Sequence, residues 1–209
     1  MTPRPRKASD AEVFAAAGRV MARVGPAQLS LTEIAREAGL TPSALSQRFG
    51  SRHGLLLAMN AQSAESAPEF FRDLRARHDS PLAALRAYAG FVACLGESPG
   101  MFAHHLAYLQ LDLSEPDFHP HLRAQGEAAR QAIRAMVEDA VAAGELIPAT
   151  DAAQLARTTQ ALLSGSLMTW AFFRDGPAPD WIAADLDALL RPWVNRAHTD
   201  TRRRGEEEP

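Results

Sequence analysis

Between Pro42 and Phe49 the chain sets short polar, methyl-bearing and long-donor side chains close together: Ser43, Ala44, Ser46, Gln47 and Arg48. Glutamine can bond an adenine edge at two positions, and arginine can do the same to guanine. Hydroxyls donate to base edges or phosphate oxygens, and a methyl packs against thymine. Arg52 stands at the start of the following element, where free backbone N–H groups and a guanidinium can together hold a phosphate. This is the chemistry of recognising a duplex, not of making or breaking bonds. The chain has no glycine-rich phosphate loop, nucleophile elbow or paired metal-ligand motif.

Such side chains need a rigid helix to aim them. Thr41-Pro42 predicts its start, with threonine as cap and proline at the first helical position, where its missing N–H costs nothing. Upstream, Ser30-Leu31-Thr32-Glu33 reads as a capping box, opening a short helix that stops at Gly39. A first helix, Asp10 to Val24, ends at Gly25-Pro26. Ile34, Ala35, Leu40, Leu45 and Phe49 are spaced to pack the two short helices together and onto the first. The pattern is a helix-turn-helix, whose second helix enters the major groove. Ser30, Thr32, Thr41 and Pro42 fall at the ends of these helices, within reach of the DNA backbone.

Charge is distributed to suit. The net charge is −3, but residues 1–60 carry eight basic and four acidic residues, against 14 and 21 in the remainder. A basic head on an acidic body fits a nucleic-acid-binding domain joined to one that does not touch DNA. A hydrophobic content of 46% over 209 residues supports a globular core. No apolar run reaches the roughly 20 residues a membrane span needs, and a cytoplasmic protein is expected. The single cysteine, Cys94, allows no internal disulfide and reads as a small buried group. His104-His105 and His119-Pro120-His121 are read as structural or exposed, so neither a metal nor a cofactor is assigned.

The rest of the chain repeats helix-start and helix-stop marks, giving an all-α protein of nine or ten helices. The fourth is expected to run from Ser51-Arg52 towards Ser66 and to end before Pro68, with a short separate helix over 68–78. The last opens at Pro179-Asp180 and either ends at Pro192 or continues past Trp193. Residues 1–50 are assigned to a DNA-binding domain, 51–198 to a regulatory and dimerisation domain, and 199–209 to a disordered tail. Met101, His105, Tyr108, Met168 and Trp170 are candidates for lining a ligand cavity. Leu155, Leu162 and Leu163 with the small residues Ser164, Gly165, Ser166 and Thr169, and Trp181, Ile182, Leu186, Leu189, Leu190 and Trp193, are candidates for a homodimer face. The rival readings are an all-helical enzyme built from scattered residues and a helical adaptor without DNA binding.

Residues Leu29–Asn60 resemble the DNA-binding region of the TetR family. The shared features are a serine before the first short helix, Ile34-Ala35, Ala38-Gly39-Leu40, a capped recognition helix ending in Phe49, and Arg52 followed by Leu55, Leu56 and Leu57. The family usually carries an aromatic where Ser46 stands and often a histidine where Arg48 stands. The resemblance implies a three-helix DNA-binding head and a larger helical ligand-binding and dimerisation body. It also implies a homodimeric repressor, released from a palindromic double-stranded operator by a small-molecule effector. Arg4, Arg6 and Lys7 are expected to form a basic arm touching phosphate or the minor groove.

Overall fold

The computed structural model describes residues 8–195. The arm residues Arg4, Arg6 and Lys7 and the segment 199–209 lie outside the described residues. Within them are nine α-helices: α1 (Asp10–Gln28), α2 (Leu31–Ala38), α3 (Pro42–Phe49), α4 (Arg52–Ala76), α5 (Pro81–Ala93), α6 (Pro99–Ser114), α7 (His119–Ala142), α8 (Ala152–Phe173) and α9 (Ala178–Leu190). The all-α class is as expected. The extended pairing among the described residues is one isolated antiparallel bridge, Leu146 with Val194. Among them no helix is long and apolar enough to cross a membrane.

By internal contacts the chain forms two compact units. One holds residues up to Glu65 together with Gly100–Ala124; the other holds Ser66–Pro99 together with residues from Gln125 onward. In the first unit, α1 presents Val13, Ala17, Val20 and Met21 at helical spacing, and these meet Ile34 and Ala35 of α2, Leu45 of α3, and Leu55 and Leu56 of α4. Phe118, fully buried, completes that core. In the second unit, α9 packs on α5 and α8 through Ile182, Leu186 and Leu190.

Local departures from the sequence reading have identifiable causes. The reciprocal capping box forms at Ser9, whose hydroxyl accepts from Glu12 N while the Glu12 carboxylate accepts from Ser9 N at 2.7 Å. At Ser30 half of the expected box forms: the hydroxyl accepts from Glu33 N at 3.2 Å, but the Glu33 carboxylate turns to Arg36. An arginine three residues on is a stronger partner for a carboxylate than a backbone N–H. Helix α4 does not end before Pro68 but runs through it for 25 residues. An interior proline removes one hydrogen bond and crowds the carbonyl four residues back, so the helix needs other support to continue. Pro68 is exposed, and the next turn is held where Phe71 packs on Tyr88 and Phe70 on Phe91, with ring centroids 5.0 and 4.9 Å apart. Cys94, expected to be buried, is exposed, because α5 stops at Ala93 and a 3-10 turn over Cys94–Gly96 rotates it outward. Helix α9 stops at Leu190; beyond it, Ile147 N–H donates to Trp193 O at 2.8 Å and Asn195 N–H to Glu145 O at 2.9 Å.

That 3-10 turn is closely packed. A Cβ added at Gly96 would stand 2.8 Å from Leu167 Cδ2 and 2.9 Å from the Ala178 Cβ, with the Trp170 ring at 3.2 Å. Gly96→Ala is therefore expected to destabilise by about 1–3 kcal/mol through overpacking. Gly90→Ala, in an α5 position with nothing within 4 Å, is expected to be neutral or to stabilise by up to about 1 kcal/mol. Urea unfolding of the two variants checks the contrast.

Candidate nucleic-acid interface

Helices α2 and α3 are eight residues each. Between them Gly39 adopts φ 68° and ψ 32°, a left-handed conformation that costs glycine little. Leu40 N–H then donates to Ala35 O at 2.8 Å, closing the turn. The Thr41 hydroxyl accepts from Ala44 N at 3.2 Å and lies 3.1 Å from the Ser43 hydroxyl. Leu45 is fully buried, and Phe49, one turn on, packs against Phe14 at 5.7 Å between centroids. With those two positions turned inward, Thr41, Pro42, Ser43, Ser46, Gln47 and Arg48 are exposed and Ala44 is half-buried. Thr32 is exposed on α2, while Ser30 is half-buried as its cap. The structure thus leaves most of the candidate DNA-contacting residues exposed, Ser30, Ala44 and Arg52 excepted.

The arginines behave differently from the sequence reading. Arg48 Nη1 donates to Ala8 O at 2.7 Å, its other terminal nitrogen pairs with Asp10, and its guanidinium lies 5.4 Å from the Phe49 ring centroid. Arg52 is half-buried, and its Nη1 donates to Pro26 O at 3.1 Å and Leu29 O at 3.4 Å. Arg19 and Arg23 of α1 both bond Glu37 of α2, at 2.8 and 3.3 Å. Hydrogen bonds from those two guanidinium groups hold the Glu37 carboxyl below its ordinary range. Arg36 pairs with Glu33. Each arginine described in the head therefore has a partner within it, and the side chains left facing outward on α3 are mainly neutral.

The ligand-cavity candidates fall in both units. Met101, His105 and Tyr108 share one face of α6, in the first unit. Trp170 lies in the core of the second, its indole N–H donating to Gly176 O at 3.0 Å, and Met168 is 40% exposed on α8. The α6 face continues to Asp112, which sequence reading missed. Asn60 of α4 donates from Nδ2 to the Tyr108 hydroxyl at 2.8 Å and to Asp112 Oδ1 at 3.1 Å. Asn60 and Asp112 are each about 95% buried. Their signal was present: Asn60 interrupts the apolar run 55–59, and Asp112 follows Tyr108 by one helical turn. Burial pushes the Tyr108 hydroxyl strongly up and lowers His105. In the second unit a groove of about 310 Å³ runs between α4 and α7, lined by Phe71, Arg72, Arg75, Ala132 and Met136 among others.

Burial also raises the Asp112 carboxyl above its ordinary value of 3.8, opposed by the Asn60 hydrogen bond. The folded state therefore favours the neutral acid. The stability this group contributes is complete below the ordinary value and is lost as pH rises through the raised one. Asp112→Asn keeps an oxygen that can accept from Asn60 and removes the buried charge. It is expected to raise the melting temperature at pH 7, with the gain closing as pH falls towards 3.8. Melting curves against pH check this; a gain that grows on acidification is the wrong sign.

The model of the family described as bacterial regulatory proteins, tetR family, matches residues 13–59, and that of the tetracyclin repressor-like C-terminal domain matches residues 106–202. Among solved structures, a TetR transcription regulator from Haloarcula marismortui is similar, with 18% identity and a TM-score of 0.71, covering 88% of this chain and 97% of its own. SmeT, the repressor of the Stenotrophomonas maltophilia multidrug efflux pump SmeDEF, has 19% identity and a TM-score of 0.63, covering 91% and 92%. Reduced NemR of E. coli has 13% identity and a TM-score of 0.68, covering 86% and 96%. No curated protein matches the sequence.

Proposed function

Because the chain belongs to the tetR family of bacterial regulatory proteins, we propose that it is a repressor: a homodimer that grips a palindromic DNA operator through α3 and is released by a small molecule. The family makes it a DNA-binding transcriptional regulator and not an enzyme. The observation that carries the finer reading is the uncovered face of α3. Among the described residues, Ser46 and Gln47 make no side-chain hydrogen bond, while Leu45 and Phe49 hold the helix from behind. A helix fixed by its apolar side and unsatisfied on its polar side is complementary to base edges. Gln47 is assigned to a base, with Ser43, Ala44 and Ser46 beside it. Thr32, Thr41, Pro42 and the capped end at Ser30 are assigned to the backbone. Arg48 and Arg52 flank this surface with guanidinium groups already bonded inside the head, so base reading falls first to Gln47.

The effector is assigned to the α6 face bearing Met101, His105 and Tyr108, next to the buried Asn60 and Asp112. A repressor reading is supported by SmeT, a repressor of similar fold. Linkage then requires the effector to bind better to the state that fits DNA worse.

The dimer face keeps Ser164 and Gly165 of the sequence expectation, both exposed, but not its fully buried apolar residues. Leu155, Leu163, Ile182, Leu186 and Leu190 are buried within the subunit, consumed by the packing of α8 and α9 on each other and on α5. Among the residues that α8 leaves outward are Ala161, Ser164, Gly165, Met168 and Phe172, with Ala184 and Ala188 on α9. Small residues let helices approach closely, and Met168 and Phe172 supply apolar area; Phe172 is 75% exposed in the single chain. This surface is assigned to the two-fold contact, which also supplies the spacing a palindrome needs.

The primary experiment is selection of duplexes from a random pool by the full-length protein. Inverted half-sites spaced by about one helical turn, or a multiple of it, are expected; enrichment of no sequence would refute the reading. Gln47→Ala is expected to relax preference at one base pair per half-site by about 1–3 kcal/mol, measured on operators with single symmetric changes. A uniform loss across those operators would move Gln47 to the backbone class. Phe172→Glu is expected to convert the dimer to monomer in light scattering at micromolar concentration, and to remove operator binding with it.

A further inference from the structure

In an unbroken helix the carbonyl of one residue receives the N–H four residues on. The Ala22 carbonyl would take that of residue 26, but Pro26 has none. Gly25, at φ 75° and ψ 168°, breaks α1 at the same point, and both residues are buried. A carbonyl stranded there needs another donor. His104 of α6 supplies it: Nδ1 lies 2.9 Å from Ala22 O. Since a carbonyl only accepts, that nitrogen carries the proton. The imidazole closes over the break so tightly that a Cβ at position 25 would stand 2.8 Å from its ring. Two more carbonyls of the same break, Pro26 and Leu29, are taken by Arg52 of α4. Helices α4 and α6 are in turn tied by Asn60 to Tyr108 and Asp112.

We propose that the Gly25-Pro26 break is the joint through which α4 and α6 set the orientation of α2 and α3, with His104 and Arg52 as its positioning residues. Leu29, gripped by Arg52, immediately precedes Ser30, the cap of α2. A shift of either long helix therefore acts on the backbone entering the helix-turn-helix, with no intervening flexible segment. The three ties close a triangle of α1, α4 and α6. Each rests on hydrogen bonds of 2.8–3.4 Å to partly or fully buried groups, contacts that a shift of either helix would break. The joint deepens the regulator reading above: it is the route by which an effector on α6 would reach α3. It also gives Arg52 a task other than holding phosphate.

The test uses the full chain and the duplex it selects from the random pool, with affinity measured across a range of salt. His104→Phe is expected to weaken binding about tenfold, the worth of one hydrogen bond to a stranded carbonyl. His104→Asn, whose amide nitrogen can stand where Nδ1 stood, is expected to restore it. Arg52→Lys keeps the charge but loses the fork; it is expected to weaken binding with an unchanged salt slope. The double variant His104→Phe with Arg52→Lys is expected to cost no more than its worse member, because both secure one joint. In the absence of DNA, His104→Phe is expected to speed amide exchange over residues 31–49 while leaving residues 152–173 unchanged.

Three results would overturn the joint. One is wild-type affinity in Arg52→Lys with a salt slope shallower by about one in Arg52→Gln, which marks a phosphate ligand. Another is losses that multiply in the double variant. The third is affinity that falls only in step with the melting temperature, or exchange over 31–49 that does not change in His104→Phe. If the wild-type chain selects no duplex, the regulator reading fails, and the exchange measurement still decides the joint.

Discussion

Two eight-residue helices must be held rigid while one side of each stays uncovered. A helix that short is not stable alone in water, since nucleation is costly and few hydrogen bonds repay it. Each therefore depends on its ends and on one apolar side. Ser30 and Thr41 take otherwise unpaired N–H groups at the starts, and Gly39 lets the chain reverse between them. Ile34, Ala35 and Leu45 are completely buried against α1 and α4. The kink in α1 at Gly25 precedes α2, which packs back on α1.

The same need explains the use of charge in the head. Arg48 and Arg52 were expected to face DNA, yet both are engaged within the head, as are Arg19, Arg23 and Arg36, with Glu37, Asp10, Glu33 and backbone carbonyls as partners. Exposed ion pairs of this kind add little stability individually. Their value here is geometric: Glu37 joins α2 to α1 at two points, and Arg48 joins the end of α3 to the start of α1. The charge still contributes to the field that draws a polyanion in. The outward side of α3 is left to neutral groups, which would suit base discrimination because an unpaired hydroxyl or amide penalises a wrong partner.

The buried polar set on α4 and α6 has a different character. Asn60, Tyr108 and Asp112 lie beside an otherwise apolar core, where a hydrogen bond is strong and an unpaired group is expensive. Such a set specifies one relative placement of two helices more sharply than leucine contacts do, because apolar surfaces tolerate sliding. It occurs where α4 and α6 also grip the α1 break, so the helices proposed to carry a signal are those whose register is most tightly specified.

From the sequence alone the all-α class, the helix-turn-helix and its outward residues, and most helix limits were legible. They rest on local physics: side-chain caps, proline's missing donor, glycine's access to positive φ, and helical spacing of apolar residues act within four or five positions. The head's polarity was legible for the same reason, since Leu45 and Phe49 one turn apart leave Ser43, Ser46 and Gln47 on the other side. What depended on distance was not legible. Pro68 reads as a stop until Phe70 and Phe71 are seen to have partners on α5 that hold the next turn. Leu155, Leu163, Leu186 and Leu190 read as part of a dimer seam, but are buried within the chain, because a sequence does not say which of two apolar surfaces a neighbour within the chain will take. The partners of Arg48, Arg52 and His104 lie 40, 26 and 82 residues away. Only the folded chain brings those carbonyls within reach, and so only the tertiary structure decided which basic side chains hold the head together and which groups of α3 stay outward.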